Sequence, residues 1–191
     1  MMKAYLKNII LVFLLLPSVL FAQMEQPKMR KNEIKVALLS LASGTSKVTY
    51  ERLVYDYQSI ELTVCVIGCG FDKLKDSKPR GTAWRVAYKF ITPNEENANN
   101  QMCGLYCKPE FCYSSYSYNH TDGERLKVDY CALMFVIGYD LVKSWFVFDI
   151  YGGFGYAFGN KNKSNYHHGF VCIDQETPLA LTAGFRIGVA F

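Results

Sequence analysis

Beyond its first apolar run the chain has no stretch long enough to cross a bilayer as a helix, which takes roughly 20 consecutive apolar residues. A multi-helix membrane protein is therefore excluded. Histidine is scarce: His120, His167 and His168 are the three present. None lies in a segment with strand periodicity, so a serine hydrolase would lack its base on the scaffold. Charge of one sign is not concentrated either. The 21 Lys and Arg face 17 Asp and Glu and are scattered, which gives no electrostatic footprint for nucleic acid. No CxxC pair occurs among the seven cysteines, and Cys65 with Cys69 offers two thiols where zinc takes four ligands. The run Gly152-Gly153-Phe154-Gly155 has neither the lysine nor the following helix of a phosphate loop. Together these absences point away from an enzyme, with no catalytic, cofactor-binding or metal residues to name.

What is present starts with an export pattern. Lys3 and Lys7 precede an apolar run from Ile9 to Leu16 that stops at Pro17, and Ala22 offers a small residue for cleavage. That layout predicts a signal peptide over 1–22 rather than an anchor helix, because the run is too short to span. A short linker over 23–31 and one domain over 32–191 follow. Losing Lys3 and Lys7 leaves 19 basic against 17 acidic residues, a mature net charge of +2.

The period along that domain is two, the signature of strands. In the last segment Leu181, Ala183, Phe185, Ile187, Val189 and Phe191 alternate with small or polar residues. Phe146, Phe148, Ile150, Phe154, Tyr156 and Phe158 share one face of the segment before it. Strands are predicted near Glu33–Ala42, Ser46–Leu53, Ser59–Gly70, Gly81–Ile91, Gly104–Ser117, Glu124–Tyr139, Trp145–Gly159 and Leu179–Phe191. Pro109 within the fifth demands a bulge or a ladder position whose donor is unused. Thr92–Met102 is long for a turn between neighbouring strands. In the sixth segment Leu126, Val128, Tyr130, Ala132, Met134 and Val136 are assigned outward, and Lys127, Asp129 and Cys131 inward. Eight alternating strands predict an all-β, up-and-down antiparallel transmembrane barrel, apolar outside and polar within. A soluble periplasmic sandwich or lipocalin-like barrel is the rival, with the faces reversed.

On the barrel reading the inward faces collect Glu33, Lys35, Glu51, Glu61, Arg85, Lys89, Lys108, Glu110, Lys127, Asp129, Asp149 and Arg186, six acids and six bases. Buried charges need partners, and a barrel of about eight strands is only wide enough for side chains to fill. A cross-linked ion-pair network in a plugged lumen follows as the expectation. Tyr55, Tyr57, Trp84, Phe90, Tyr113, Tyr139, Trp145 and Phe158 fall near strand ends, where interface girdles of aromatic rings belong.

The stretches KNEIKVALLSLASGTSKVTYER (Lys31–Arg52) and GYDLVKSWFVFDIYGGFGYAF (Gly138–Phe158) resemble the first and penultimate hairpins of small outer-membrane barrel proteins of Bacteroidota. The terminal FRIGVAF resembles their last strand. The resemblance implies an OmpA/OmpX-like barrel in the cell outer membrane, with Phe185, Ile187, Val189 and Phe191 read by the barrel assembly machinery. It implies fold and place more than activity, and such barrels mostly lack cysteine.

Here Cys65, Cys69, Cys103, Cys107, Cys112, Cys131 and Cys172 are present, an odd number. If the hairpin about Asn119–Glu124 is symmetric, Cys112 and Cys131 come opposite each other as a candidate disulfide; buried free thiols are the alternative. His167 and His168 are assigned to a solvated outside loop, 160–178, which is also the candidate site for an extracellular ligand. The expected function is a monomeric, non-enzymatic scaffold in outer-membrane lipid. A narrow porin-like channel is the second reading and a lipid-modifying enzyme the third.

Overall fold

Along seven of the eight long segments the apolar residues recur at every second position, so each strand has one face for carbon and one for charge. The computed structural model describes residues 30–70, 78–93, 101–119, 123–159, 167–173 and 178–191. The strands are β1 (Asn32–Val36), β2 (Thr45–Tyr55), β3 (Gln58–Ile67), β4 (Arg80–Ile91), β5 (Gly104–Asn119), β6 (Arg125–Lys143), β7 (Phe146–Gly159), β8 (Val171–Cys172) and β9 (Leu179–Ala190). Each long strand pairs antiparallel with the next, and β1 closes on β9 from Glu33↔Ala190 to Val36↔Ile187. The result is a closed eight-stranded barrel with β8 attached to β9. The expected signal peptide and residues 23–29 of the expected linker lie outside the described residues, as does His120.

One end carries the tight connections Asp56–Tyr57 and Ser144–Trp145 together with the outset of β1 and the close of β9; it is the turn end. Ile67 of β3, Asn119 of β5, Gly159 of β7 and the starts of β4, β6 and β9 lie at the other, the loop end. Just ahead of β5, Met102 and Cys103 are buried at the turn end, and Met102 packs with Leu53, Ile91 and Tyr106. Opposite Pro109 the β4–β5 ladder lapses between Ala87↔Glu110 and Phe90↔Cys107, then resumes in the same register. The missing N–H is absorbed without a bulge.

Three expectations change. The first strand stops at Val36, and Leu38–Ala42 forms a short helix, α1; LLSLA has no period-two alternation and is rich in good helix formers. Strand β6 runs to Lys143 rather than ending at Tyr139, so the connection to β7 is the two residues Ser144–Trp145 and Asp140 enters the barrel wall facing inward. The faces of β6 are inverted: Val128, Ala132, Met134 and Val136 are buried inside, while Leu133, Phe135 and Ile137 point out. Lys127 and Asp129 pair with each other at 3.2 Å on the outer surface, their side chains 72% and 30% exposed.

Candidate functional site

The interior is ionic. Ten of the twelve charged residues expected in the lumen are buried there, and Asp140 joins them, giving six acids and five bases. They form one connected set. At the turn end the Lys35 Nζ lies 2.9 Å from Glu33, 2.6 Å from Glu51 and 3.0 Å from Asp140. Lys89 meets Glu51 at 2.9 Å and also bonds Asp140. Lys35 reaches Asp149 at 3.6 Å, which links this group to the next. There the Arg186 Nε donates to Asp149 at 2.6 Å and its Nη1 to Glu61 at 2.5 Å. Lys108 bridges Glu61 at 2.6 Å and Glu110 at 3.2 Å, and Arg85 closes the chain on Glu110 at 2.6 Å.

Two tyrosines stand among these cations. The Tyr106 hydroxyl donates to Asp149 at 2.7 Å, and Lys89 lies 4.1 Å from its ring centre. Arg186 lies 4.8 Å from the centre of the Tyr151 ring, within the range of a cation–π contact. The Tyr106 ring crosses so close to Gly138 that a side chain at that position has no room. Oxygens of Glu33, Glu51 and Asp140 converge within 4.8 Å of one another, a spacing that suits a cation. Lys35 already contacts all three acids and Lys89 two of them. Two of the protein's own ammonium groups thus already occupy the cluster.

Toward the loop end the chemistry changes. Cys65 and Cys112 are fully buried beside Tyr116, Val128 and Ala132. The segment His167–Phe170 folds into the mouth above them. Its turn is closed by the Gly169 N–H on the His167 carbonyl at 2.7 Å and the His167 N–H on the Phe170 carbonyl at 3.0 Å, with His168 at φ +60°. His167 stacks on Tyr130 at 4.1 Å, and His168 Nδ1 shares a 2.8 Å hydrogen bond with the Thr45 hydroxyl. Gly169 sits so close to Cys112 that a Cβ there would come within 2.7 Å of its sulfur.

The expected solvated histidine pair is thus corrected: His167 and His168 are 1% and 5% exposed. Burial pulls both imidazoles down to about 4, with Lys47 adding to the effect on His168. No sequence signal short of the neighbouring Phe170 hints at this docking. The Thr45 hydroxyl beside His168 is wholly buried, so this hydroxyl–imidazole pair helps to hold the segment in place.

The candidate disulfide is also corrected. The β5–β6 register sets Cys112 against Ala132 and Cys131 against Tyr113, so Cys112 points in and Cys131 out, and both are free. A one-residue offset in a hairpin is enough to send a side chain to the other face. Phe185, Ile187 and Val189 alternate with inward Arg186 and Ala190, and Phe191 is exposed at the turn end. Comparison with family models, with curated proteins and with solved structures finds no match for this chain.

Proposed function

We propose that this chain is a non-enzymatic outer-membrane β-barrel, a monomeric scaffold with a filled lumen, of the small type seen in Bacteroidota. The observation that carries the reading is inverted polarity. Arg85, Lys89, Asp149 and Arg186, which a soluble sandwich would set in water, are all buried. The outer wall instead carries large apolar side chains, among them Ile60, Leu62, Val86, Phe135, Phe148 and Phe154. Such a surface suits hydrocarbon and is rare around a soluble monomer. Tyr55, Trp84, Phe90, Tyr113, Tyr139, Trp145 and Phe158 are exposed as girdle residues should be.

The ion pairs, Tyr106 and Tyr151 fill the cross-section, and His167–Phe170 covers the mouth. A scaffold follows from this better than a channel. Its lipid-facing C-terminal residues suit the barrel assembly machinery, and the 160–178 connection is where an outside ligand would meet it. The test is single-channel conductance of the protein refolded into lipid, with a heat-dependent gel shift confirming the barrel. Folded protein is expected to be silent. Reproducible current steps from the folded form would replace the scaffold by a channel and make the interior charges its filter.

A further inference from the structure

Among the described residues the barrel wall is open along part of β9. On the side of β9 that faces β1, pairing with β1 begins at Ile187 and pairing with β8 ends at Leu181. Between them Thr182–Arg186 has no strand beside it among the described residues. On the opposite bank β2 loses its partner beyond Lys47, whose carbonyl accepts from Ala37 at 3.2 Å. The cause is local: β1 ends at Val36, and α1 packs against β2 and β9 in its place, with Leu39 and Ser40 at the breach.

A cavity of about 520 Å³ occupies the breach. Leu181, Ala183 and Phe185 line it from the outer face of β9, and Thr182 and Gly184 from the inner face. Successive residues of a strand point to opposite sides of a sheet. A cavity touching both parities must therefore wrap around the bare edge and run from interior to exterior. Its outer rim holds Leu39, more than half exposed; its inner end holds Phe170, Tyr151 and Lys47.

Lys47 is the exception among the inward bases. Each of the other five meets a carboxylate. Among the described residues Lys47 has no such pair and no side-chain hydrogen bond, and it shares its surroundings with Arg85, Cys65 and Cys112. An unpaired cation beside bare strand edge in an apolar wall is costly. The volume lies within the roughly 300–1,000 Å³ of sites for small ligands, which join apolar walls to a few placed polar groups.

We propose that this breach binds a single-chain anionic amphiphile, with its acidic headgroup on Lys47 and its chain leaving past Leu39 and Phe185 to the outside of the wall. The proposal rests on the membrane reading for the source of the ligand and on the cavity alone for its binding. A carboxylate and a phosphate monoester share the required chemistry.

Native mass spectrometry of the refolded barrel tests it, with tetradecanoate, tetradecyl phosphate, tetradecanol and inorganic phosphate as separate probes. One adduct is expected from either acidic amphiphile, and the stronger of the two identifies the headgroup. Tetradecanol and inorganic phosphate are expected to give none. Lys47→Gln should weaken the adduct at least tenfold, and Ala183→Trp, which fills the breach from outside, should abolish it. Both variants are first checked for the folded, heat-sensitive gel band, and Ala183→Ser is the control that should bind normally. Equal binding of tetradecanol, or of tetradecanoate by Lys47→Gln, would overturn the headgroup assignment. Retention of inorganic phosphate alone would overturn the amphiphile. No adduct from either acid would leave the cavity to the chain's own loop and end the proposal. Vesicle flotation run alongside reports membrane insertion separately, so an adduct on a barrel that fails to float keeps the cavity and sinks the membrane reading.

Discussion

From the turn end to mid-barrel the lumen is packed with opposite charges in direct contact, and Arg186 alone touches both Glu61 and Asp149. Toward the loop end the same lumen holds thiols, aromatic rings, two neutral imidazoles and one base, Lys47, outside the ion-pair network. The wall differs in step. Around the paired charges the ladder of β1, β2 and β9 is continuous, whereas around Lys47 it is broken. A cross-linked interior thus accompanies a sealed wall, and an uncompensated charge accompanies an opening. The lesson is that ion pairs here act as staples: they join strands far apart in sequence, such as β3 and β9, across the barrel axis.

The largest effect should come from breaking the paired half. Arg186→Leu leaves Glu61 and Asp149 short of their strongest partner, and losing one member of a buried pair costs about 3–5 kcal/mol. The urea midpoint of the barrel in lipid should fall accordingly. Lys47→Met, the matching change in the open half, should leave that midpoint level or raise it, because it removes a charge that no carboxylate among the described residues offsets. Equal losses in both variants would erase the distinction between the halves. Next in size is Phe148→Arg, which puts a cation on the outer wall beside inward Asp149. On the lipid face, three residues inward from the girdle residue Trp145, it should cost about 1–2 kcal/mol, between the interface and midplane values for a cation. Normal membrane assembly of this variant would count against the assignment of faces.

Strands with strict alternation were legible from residues alone. Phe146, Phe148 and Ile150 against Val147, Asp149 and Tyr151 fix a face, and one buried face fixes a register. Strand β6 was misread for a physical reason. Its loop-end half presents Lys127 and Asp129 outward and Val128 inward, the reverse of the pattern of polarity that the other strands follow. Polarity reports depth as well as side once a strand of 19 residues runs on toward the loop end. Asp140 escaped because a polar residue near a turn reads as solvated, and only the two-residue Ser144–Trp145 connection places it within the ladder. Burial of His167 and His168 was beyond any period, since it depends on a loop returning to a mouth that the fold alone creates. The breach arises in the same way, from LLSLA ending β1 early.

The smallest effect should be confined to that returning loop and depends on pH. His167 and His168 ordinarily take up protons near 6.5, but in the mouth burial holds both at about 4. Above about pH 6.5 they are neutral docked or undocked, so docking is at full strength. Between there and pH 4 the undocked imidazoles gain protons that the docked ones refuse, and docking weakens as the pH falls. Each imidazole can contribute up to about tenfold per pH unit. Lys47 faces His168 and works in the same direction, as does a proton on His167. Backbone amide exchange over 167–173, corrected for its intrinsic pH dependence, should therefore show protection falling from pH 7.5 to about pH 4.5. Amides of β5, β6 and β7 should not change. His167→Phe keeps a ring for Tyr130 to stack on and carries no proton, so it should flatten about half of the response. Equal protection at both pH values would show that the loop is held by contacts indifferent to these two imidazoles, and the mouth would then be as firmly closed as the ion-paired half below it.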